Sequence, residues 1–275
     1  MKISNKQSEY IKRYKKRKWT IFAIRLSIII FFILLWEILA NLQIINPFIS
    51  SSPSRIIKCL ISLYKNNNLF IHIFITLKEI LISFAIGISL GFIIAIIFYE
   101  NNFIYQIFEP LLVIFNSLPK VALGPIIIIL FGANIKSIIV MSILINMIVS
   151  ITTIYTGFIN TDYIKIKLFN TFHATKWQKL KYLIIPNSLN NIINTLKLNI
   201  SLTLIGVITG EFLVSKQGIG YLIIYGTQVF NLNLVMVGIL LLLIISFILY
   251  EIINKLLITD NTNNRKNKRT YTKNP

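Results

Sequence analysis

Long apolar runs decide what this chain can become. Five of them, at 19–40, 73–98, 111–131, 138–158 and 234–257, each supply the roughly twenty residues that an α-helix needs to cross a bilayer. A sixth, at 192–214, is diluted by Asn194, Lys197, Asn199, Ser201, Thr203 and Thr209. In hydrocarbon every backbone N–H and C=O must find a partner within its own segment, so runs of this length fold as helices. The expectation is an all-α polytopic membrane protein with six transmembrane helices. Composition agrees: of 275 residues, 55% are hydrophobic and 13% charged, too little charge to solvate the surface of a water-soluble domain.

Basic residues give the orientation. They gather in the N-terminal segment (Lys12, Arg13, Lys15, Lys16, Arg17, Lys18), in the long polar segment (Lys165, Lys167, Lys176, Lys179, Lys181) and near the end (Arg265, Lys266, Lys268, Arg269). Six helices put all three on one side, which the positive-inside rule makes the cytoplasm. The opposite loops hold fewer: Arg55, Lys58 and Lys65, then Lys136, then Lys216. The short segment 99–106 is expected to be cytoplasmic yet carries no Lys or Arg, a mild dissent. The organisation read from this is a cytoplasmic basic tail at 1–18, a transmembrane domain at 19–258 with a cytoplasmic loop at about 160–191, and a cytoplasmic tail at 259–275. A multi-pass plasma-membrane protein with both termini cytoplasmic follows. The apolar run after the basic N-terminus lacks an A-x-A cleavage site and reads as a retained first span.

The net charge of +19 does not point to nucleic acid, because the basic residues sit between apolar blocks without interleaved aromatic residues. Cys59 is the only cysteine, and His72 and His173 lie far apart, so no metal-ligand spacing exists. Asp162 and Asp260 are the only aspartates, which removes an acidic metal-diphosphate motif and with it a prenyl or phosphoryl transferase. "GANIKS" at 132–137 lacks the G-K-[ST] step of a P-loop, and "GIG" at 218–220 follows no strand, so it reads as a turn. A self-contained secondary transporter is the rival from another class, and it calls for midplane carboxylates or inverted repeats that the sequence does not display.

Two spans carry local signals. Ser83, Gly87, Gly91 and Ala95 recur every four residues and line one helix face with small side chains, a packing surface for a neighbouring helix. Pro119 and Pro125 in "SLPKVALGP" break or kink the third span and free backbone carbonyls, which are tolerated where they pack in protein or line a cavity. Asn116 and Pro119 are therefore candidates for a pathway wall. Asn199, Thr203, Gly206, Thr209 and Gly210 fall on one side of the fifth span, expected to face a water-filled pathway, with interhelical hydrogen bonding as the alternative. Glu211 ends that series near the outer interface, as a gate, an anchor or a substrate contact; an ionisable group in a span is a functional candidate in its own right. Glu37 and Glu79 are expected inside the bundle, and Lys78 and Lys120 are weak candidates for attracting an anion.

The polar segment "NTFHATKWQKLKYLIIPNSLNN", 170–191, interrupts this apolar chain. Thr175 and Gln178 form a T-x-x-Q capping box at the start of a short helix. Trp177, Leu180 and Leu183 or Ile184 then share a face, and Pro186 ends the helix. A second short helix is expected at 163–172, with a bend near His173 and Ala174. Such an element lies on anionic lipid or docks on a cytoplasmic partner.

The stretch from "KLFNTFHATKWQKLKYLIIPNSL" to "GEFLVSKQGIGYLI" resembles the signature loop and following helix of binding-protein-dependent ABC importer permeases, most closely the nitrate, sulfonate and taurine branch. "LLWEILA", "SSSPSRII" and "SLPKVALGPIIIILFG" extend the likeness over nearly the whole chain. Lys167, His173 and Pro186 stand where the family's loop has its Glu, Gly and final Pro. Lys167 thus replaces an acid, and His173 occupies a place where glycine takes a left-handed turn without steric cost. The resemblance implies a type I ABC importer permease fold and no enzymatic activity or cofactor in this chain, with ATP and Mg bound by a separate ATP-binding subunit. It implies that Lys167, Thr171, His173, Ala174, Thr175, Trp177 and Pro186 couple to that subunit. The other implied partners are an extracytoplasmic substrate-binding protein and a second copy of the permease, and the implied substrate is a small anion such as a sulfonate, taurine or nitrate, with a thiamine-precursor pyrimidine as the alternative.

Overall fold

A computed structural model describes the backbone of residues 5–45, 50–66 and 68–271, and the side chains of 14, 16–45, 50–66 and 68–255. The chain runs through α1 (Asn5–Asn41), α2 (Pro53–Lys65), α3 (Asn68–Glu100), α4 (Asn102–Ser117), a 3-10 turn (Lys120–Leu123), α5 (Gly124–Phe131), α6 (Ile135–Ile159) and α7 (Tyr163–Thr171). It continues as α8 (Lys176–Lys179), a π turn (Leu180–Ile184), α9 (Ile185–Asn187), α10 (Leu189–Val214), α11 (Ile219–Gln228) and α12 (Leu232–Tyr271). No strand occurs among the described residues. Most side chains of the basic tails at 1–18 and 259–275 lie outside the described residues, as do the lysines and arginines on which their assignment rests, apart from Lys16, Arg17 and Lys18.

Helices α1, α3, α6, α10 and α12 are each long and apolar enough to cross a membrane. The sixth span is two pieces: Asn102–Ser117 and Lys120–Phe131 meet at 95°, where one kinked helix over 111–131 was expected. The break falls at Leu118, whose extended backbone (φ −66°, ψ 135°) is what a following proline imposes by clashing with the helical conformation. Pro125 breaks nothing. It occupies the first turn of α5, where its missing N–H has no helical partner to lose.

Helices α3, α6 and α10 pack as a central spine. The small-residue face of α3 makes the approach possible: Ser83, Gly87, Gly91 and Ala95 are all buried, and a Cβ on Gly91 would stand 2.3 Å from Ser150 Cβ. Two apolar clusters fill the ends of this spine. One, at the end carrying α11, gathers Ile80, Ile138, Val207, Ile219 and Val237. The other, at the end carrying α7 to α9, gathers Phe98, Ile154, Phe158, Leu180 and Ile184. Helix α1 stands apart: its most apolar stretch is unburied within this chain, and its C-terminal end is fastened where Glu37 Oε2 accepts the Ser54 N–H at 3.0 Å. Glu37 is thus a half-buried cap on α2 and not the bundle-interior carboxylate expected.

Candidate coupling surface and polar spine

The loop that joins α6 to α10 is built as two capped turns. Asp162 caps α7 by accepting the Ile164 N–H at 2.9 Å. At the far end of α7, His173 N–H bonds Asn170 O at 3.0 Å and Ala174 N–H bonds Phe169 O at 3.1 Å, the paired bonds of a Schellman motif. His173 carries the left-handed conformation that closes this motif, with φ +52°. The backbone therefore turns as a glycine would turn it, and a histidine bears the strain. Thr175 and Gln178 then form the expected capping box: Gln178 N–H donates to Thr175 Oγ1 and Thr175 N–H to Gln178 Oε1.

Beyond the box the structure departs from expectation twice. Leu180, Leu183 and Ile184 are buried in this chain's own core, whereas Trp177 is 61% exposed, so the expected single apolar face is divided. Pro186 does not end the segment. A π turn absorbs it, with Ile185 N–H reaching back to Leu180 O and Ser188 N–H to Ile184 O, and the helical path runs on into α10. Ser188 Oγ donates to Gly157 O at 2.8 Å and Asn191 Nδ2 to Thr153 O at 3.2 Å, tying this exit to α6. Lys165 Nζ donates to Asn187 Oδ1 at 3.0 Å, closing α7 onto α9.

The outer surface of the loop holds six of the seven residues expected there: Lys167, Thr171, His173, Thr175, Trp177 and Pro186 are exposed, and Ala174 is half-buried. Phe172 and Tyr182, which the sequence reading did not single out, are exposed on the same loop. A cavity of about 690 Å³ opens between this loop and the α3–α4 turn, lined by Tyr99, Glu100, Asn101, Asn170, Lys176 and Lys179.

The residues expected along the pathway divide into two groups. Asn116 and Pro119 are exposed at the break between α4 and α5, where Lys120 Nζ donates to Asn116 O at 3.1 Å. Asn199, Thr203 and Gly206 are fully enclosed between helices and not on a water-facing side. Asn199 Nδ2 donates to Ser150 Oγ at 2.9 Å. Asn146 Nδ2, absent from the sequence reading, donates both to Thr203 Oγ1 at 2.9 Å and to Ser83 O at 3.1 Å, linking α3, α6 and α10 at mid-span. Isolated polar residues in an apolar run mark such interhelical contacts as readily as a pathway, and nothing in one helix's pattern tells them apart.

Glu211 is fully buried at the other end of α10. Oε1 accepts the Thr76 hydroxyl at 2.7 Å, and Oε2 accepts the Gly220 N–H in the turn that starts α11. Thr76 Oγ1 in turn accepts the Ile219 N–H at 2.8 Å, and His72 Nδ1 accepts the Gly218 N–H at 2.9 Å. The glycine turn is thereby pinned to α3 by His72 and Thr76 and to α10 by Glu211. Gly218 has φ +116°, and a Cβ there would stand 2.3 Å from Glu211 Oε1, which explains why the turn has glycine. Glu79 is buried against the Glu211 carboxyl, and neither of its oxygens receives an N–H or O–H from elsewhere.

The fold defines a class: a polytopic helical membrane protein whose large polar loop is continuous with a central span. Residues 87–259 match the model of the binding-protein-dependent transport system inner membrane component, and the chain belongs to that family. It is therefore an ABC importer permease subunit. It is 31% identical over 208 residues to the formylaminopyrimidine transport permease protein ThiX of Halalkalibacterium halodurans, covering 76% of this chain and 80% of that one. It is 22% identical over 219 residues to the taurine transport system permease protein TauC of Escherichia coli, covering 78% and 80%. An inward-facing form of the MetNI methionine ABC transporter shares the fold, with a TM-score of 0.63 over 70% of this chain and 95% of that chain at 16% identity.

Proposed function

We propose that this permease passes a small polar solute across the plasma membrane, with both termini cytoplasmic, and is driven by a separate ATP-binding subunit docked on the loop between α6 and α10. The observation that carries this is the loop's build. Its turns are capped, its aromatic side chains Phe172, Trp177 and Tyr182 are exposed, and its end joins α10 through one turn residue, Ser188, which is bonded to Ile184 O on one side and accepts the Ile192 N–H on the other. A push on Trp177 is then delivered to a helix of 26 residues, about 39 Å long at 1.5 Å per residue, that reaches Glu211 at the opposite end. ATP and Mg bind in the partner, an extracytoplasmic protein delivers solute, and two copies of this chain pair. Asn116, Pro119 and Glu211 are assigned to the pathway and its mouth, while Asn199, Thr203 and Gly206 hold the spine together.

The solute is a small organic or inorganic anion such as a sulfonate, taurine or nitrate, or a substituted pyrimidine. Relatives named for taurine and for formylaminopyrimidine support these two readings. Uptake into liposomes holding the permease with its ATP-binding subunit and binding protein decides between them. ATP-dependent accumulation of labelled taurine, unaffected by excess formylaminopyrimidine, supports the anion; the reverse supports the pyrimidine. No ATP-dependent uptake of either, or of nitrate, contradicts the assignment of solute class.

A further inference from the structure

We propose that Glu79 is a positioning residue for the outer loop: it keeps one proton, donates it to the Glu211 carboxylate, and so locks α3 to the glycine turn at the mouth of the permease. An ionised carboxylate is acceptor only, and two ionised carboxylates in contact repel. Glu211 already takes hydrogen bonds from the Thr76 hydroxyl and the Gly220 N–H. Glu79 has no donor for either oxygen, is 1% exposed, and lies one turn along α3 from Thr76, on the same buried helix face that meets Glu211. Glu79 O–H to Glu211 O⁻ gives one of the two unmatched Glu79 oxygens a partner by turning an acceptor into a donor, and removes the repulsion between the carboxylates.

Charged and titratable groups on the surrounding elements leave this arrangement intact. His72 on α3 is engaged with the Gly218 N–H and stacked on Tyr221 of α11, with ring centroids 5.9 Å apart. Lys78 on α3 and Lys136 on α6 are exposed. Lys216 lines a cavity of about 250 Å³ together with Glu79, Asn134, Ser215 and Gln217. That cavity gives the Glu79 proton a way out to water. Loss of the proton leaves two facing carboxylates, and their repulsion separates α3 from the turn held by Glu211.

The test rests in part on the transport assignment, so one arm avoids transport altogether. Infrared difference spectra of the purified full chain at neutral pH are expected to contain a protonated-carboxyl band that disappears in Glu79→Gln. In the reconstituted transporter, Glu79→Gln supplies an amide N–H in place of the O–H. It is expected to retain uptake while losing the fall in rate that wild type undergoes as pH rises and the proton is stripped. Glu79→Leu supplies no donor and is expected to lose about tenfold, on the order of one hydrogen bond to a charged group. The proposal is overturned if the carboxyl band is absent or survives Glu79→Gln, if Glu79→Gln is as impaired as Glu79→Leu, or if Glu79→Leu transports like wild type. Absence of uptake by the wild-type assembly counts against the transport assignment, and the infrared arm then decides this proposal by itself.

Discussion

Gly206 lies so close to Ser142 that a methyl group added to it would stand 2.6 Å from Ser142 Cα. The obstacle is backbone on a neighbouring helix, so neither side can swing away. Close approach at this point brings Ser142 Oγ within 3.0 Å of Thr203 O and holds Asn146 against Thr203.

Gly206→Ala is therefore expected to force α10 from α6 at a loss of about 1–3 kcal/mol, the usual range for overpacking a tight interior. A lower midpoint of thermal unfolding in detergent checks this. Ser201→Ala, on an exposed position of the same helix, is the control and is expected to change stability by less than about 0.5 kcal/mol.

The strained turn at His173 makes a prediction with two signs. With φ at +52°, His173→Gly removes a left-handed penalty of about 1 kcal/mol, partly offset by the greater freedom of glycine in the unfolded chain. His173→Val places a β-branched side chain where it fits least. Limited proteolysis of the loop is expected to be slower than or equal to wild type in the first variant and several-fold faster in the second. Equal rates in all three would contradict the Schellman closure.

Cys59 reports orientation. It is the only cysteine, it is half-buried on α2 at the end opposite the polar loop, and burial pushes its thiol above the ordinary range. Thiolate is the reactive form, so labelling by a membrane-impermeant maleimide is expected to be slow at neutral pH and to quicken as pH rises. Labelling of intact cells from outside is the predicted result. Labelling only after lysis would reverse the proposed topology.

How much of this was legible in the sequence depends on whether a local signal was involved. The spans other than the broken one at 111–131, the α3 packing face and the Thr175–Gln178 box follow from periodicity and capping chemistry, which act over a few residues, and the structure contains them. The left-handed turn at His173 was legible only through resemblance, because histidine itself does not demand that conformation. Two readings failed for a shared reason. Pro186 was read as a stop, and Trp177, Leu180 and Leu183 or Ile184 as one docking face, from α-helical geometry; a π turn over Leu180–Ile184 changed the hydrogen-bond ladder, and Leu180, Leu183 and Ile184 pack into this chain's core while Trp177 stays exposed. The clamp around Glu211 joins residues 135 apart in sequence. No pattern in α10 identifies Thr76, His72 or Glu79 as its partners, since that pairing exists only once α3 and α10 have packed.

The central claim is that the loop between α6 and α10 docks a separate ATP-binding subunit through its exposed aromatic surface. Trp177→Ala tests it most directly, because Trp177 is 61% exposed and its removal leaves the buried Leu180, Leu183 and Ile184 in place. Aromatic anchors at interface centres cost about 2 kcal/mol or more on truncation, roughly thirtyfold in affinity. The affinity of the purified permease for its ATP-binding subunit is the quantity to measure, in wild type and in the variant. A loss on that scale, with membrane insertion and pairing of the permease unchanged, is predicted. Wild-type affinity in Trp177→Ala, with the loop peptide instead losing attachment to anionic vesicles, would contradict it.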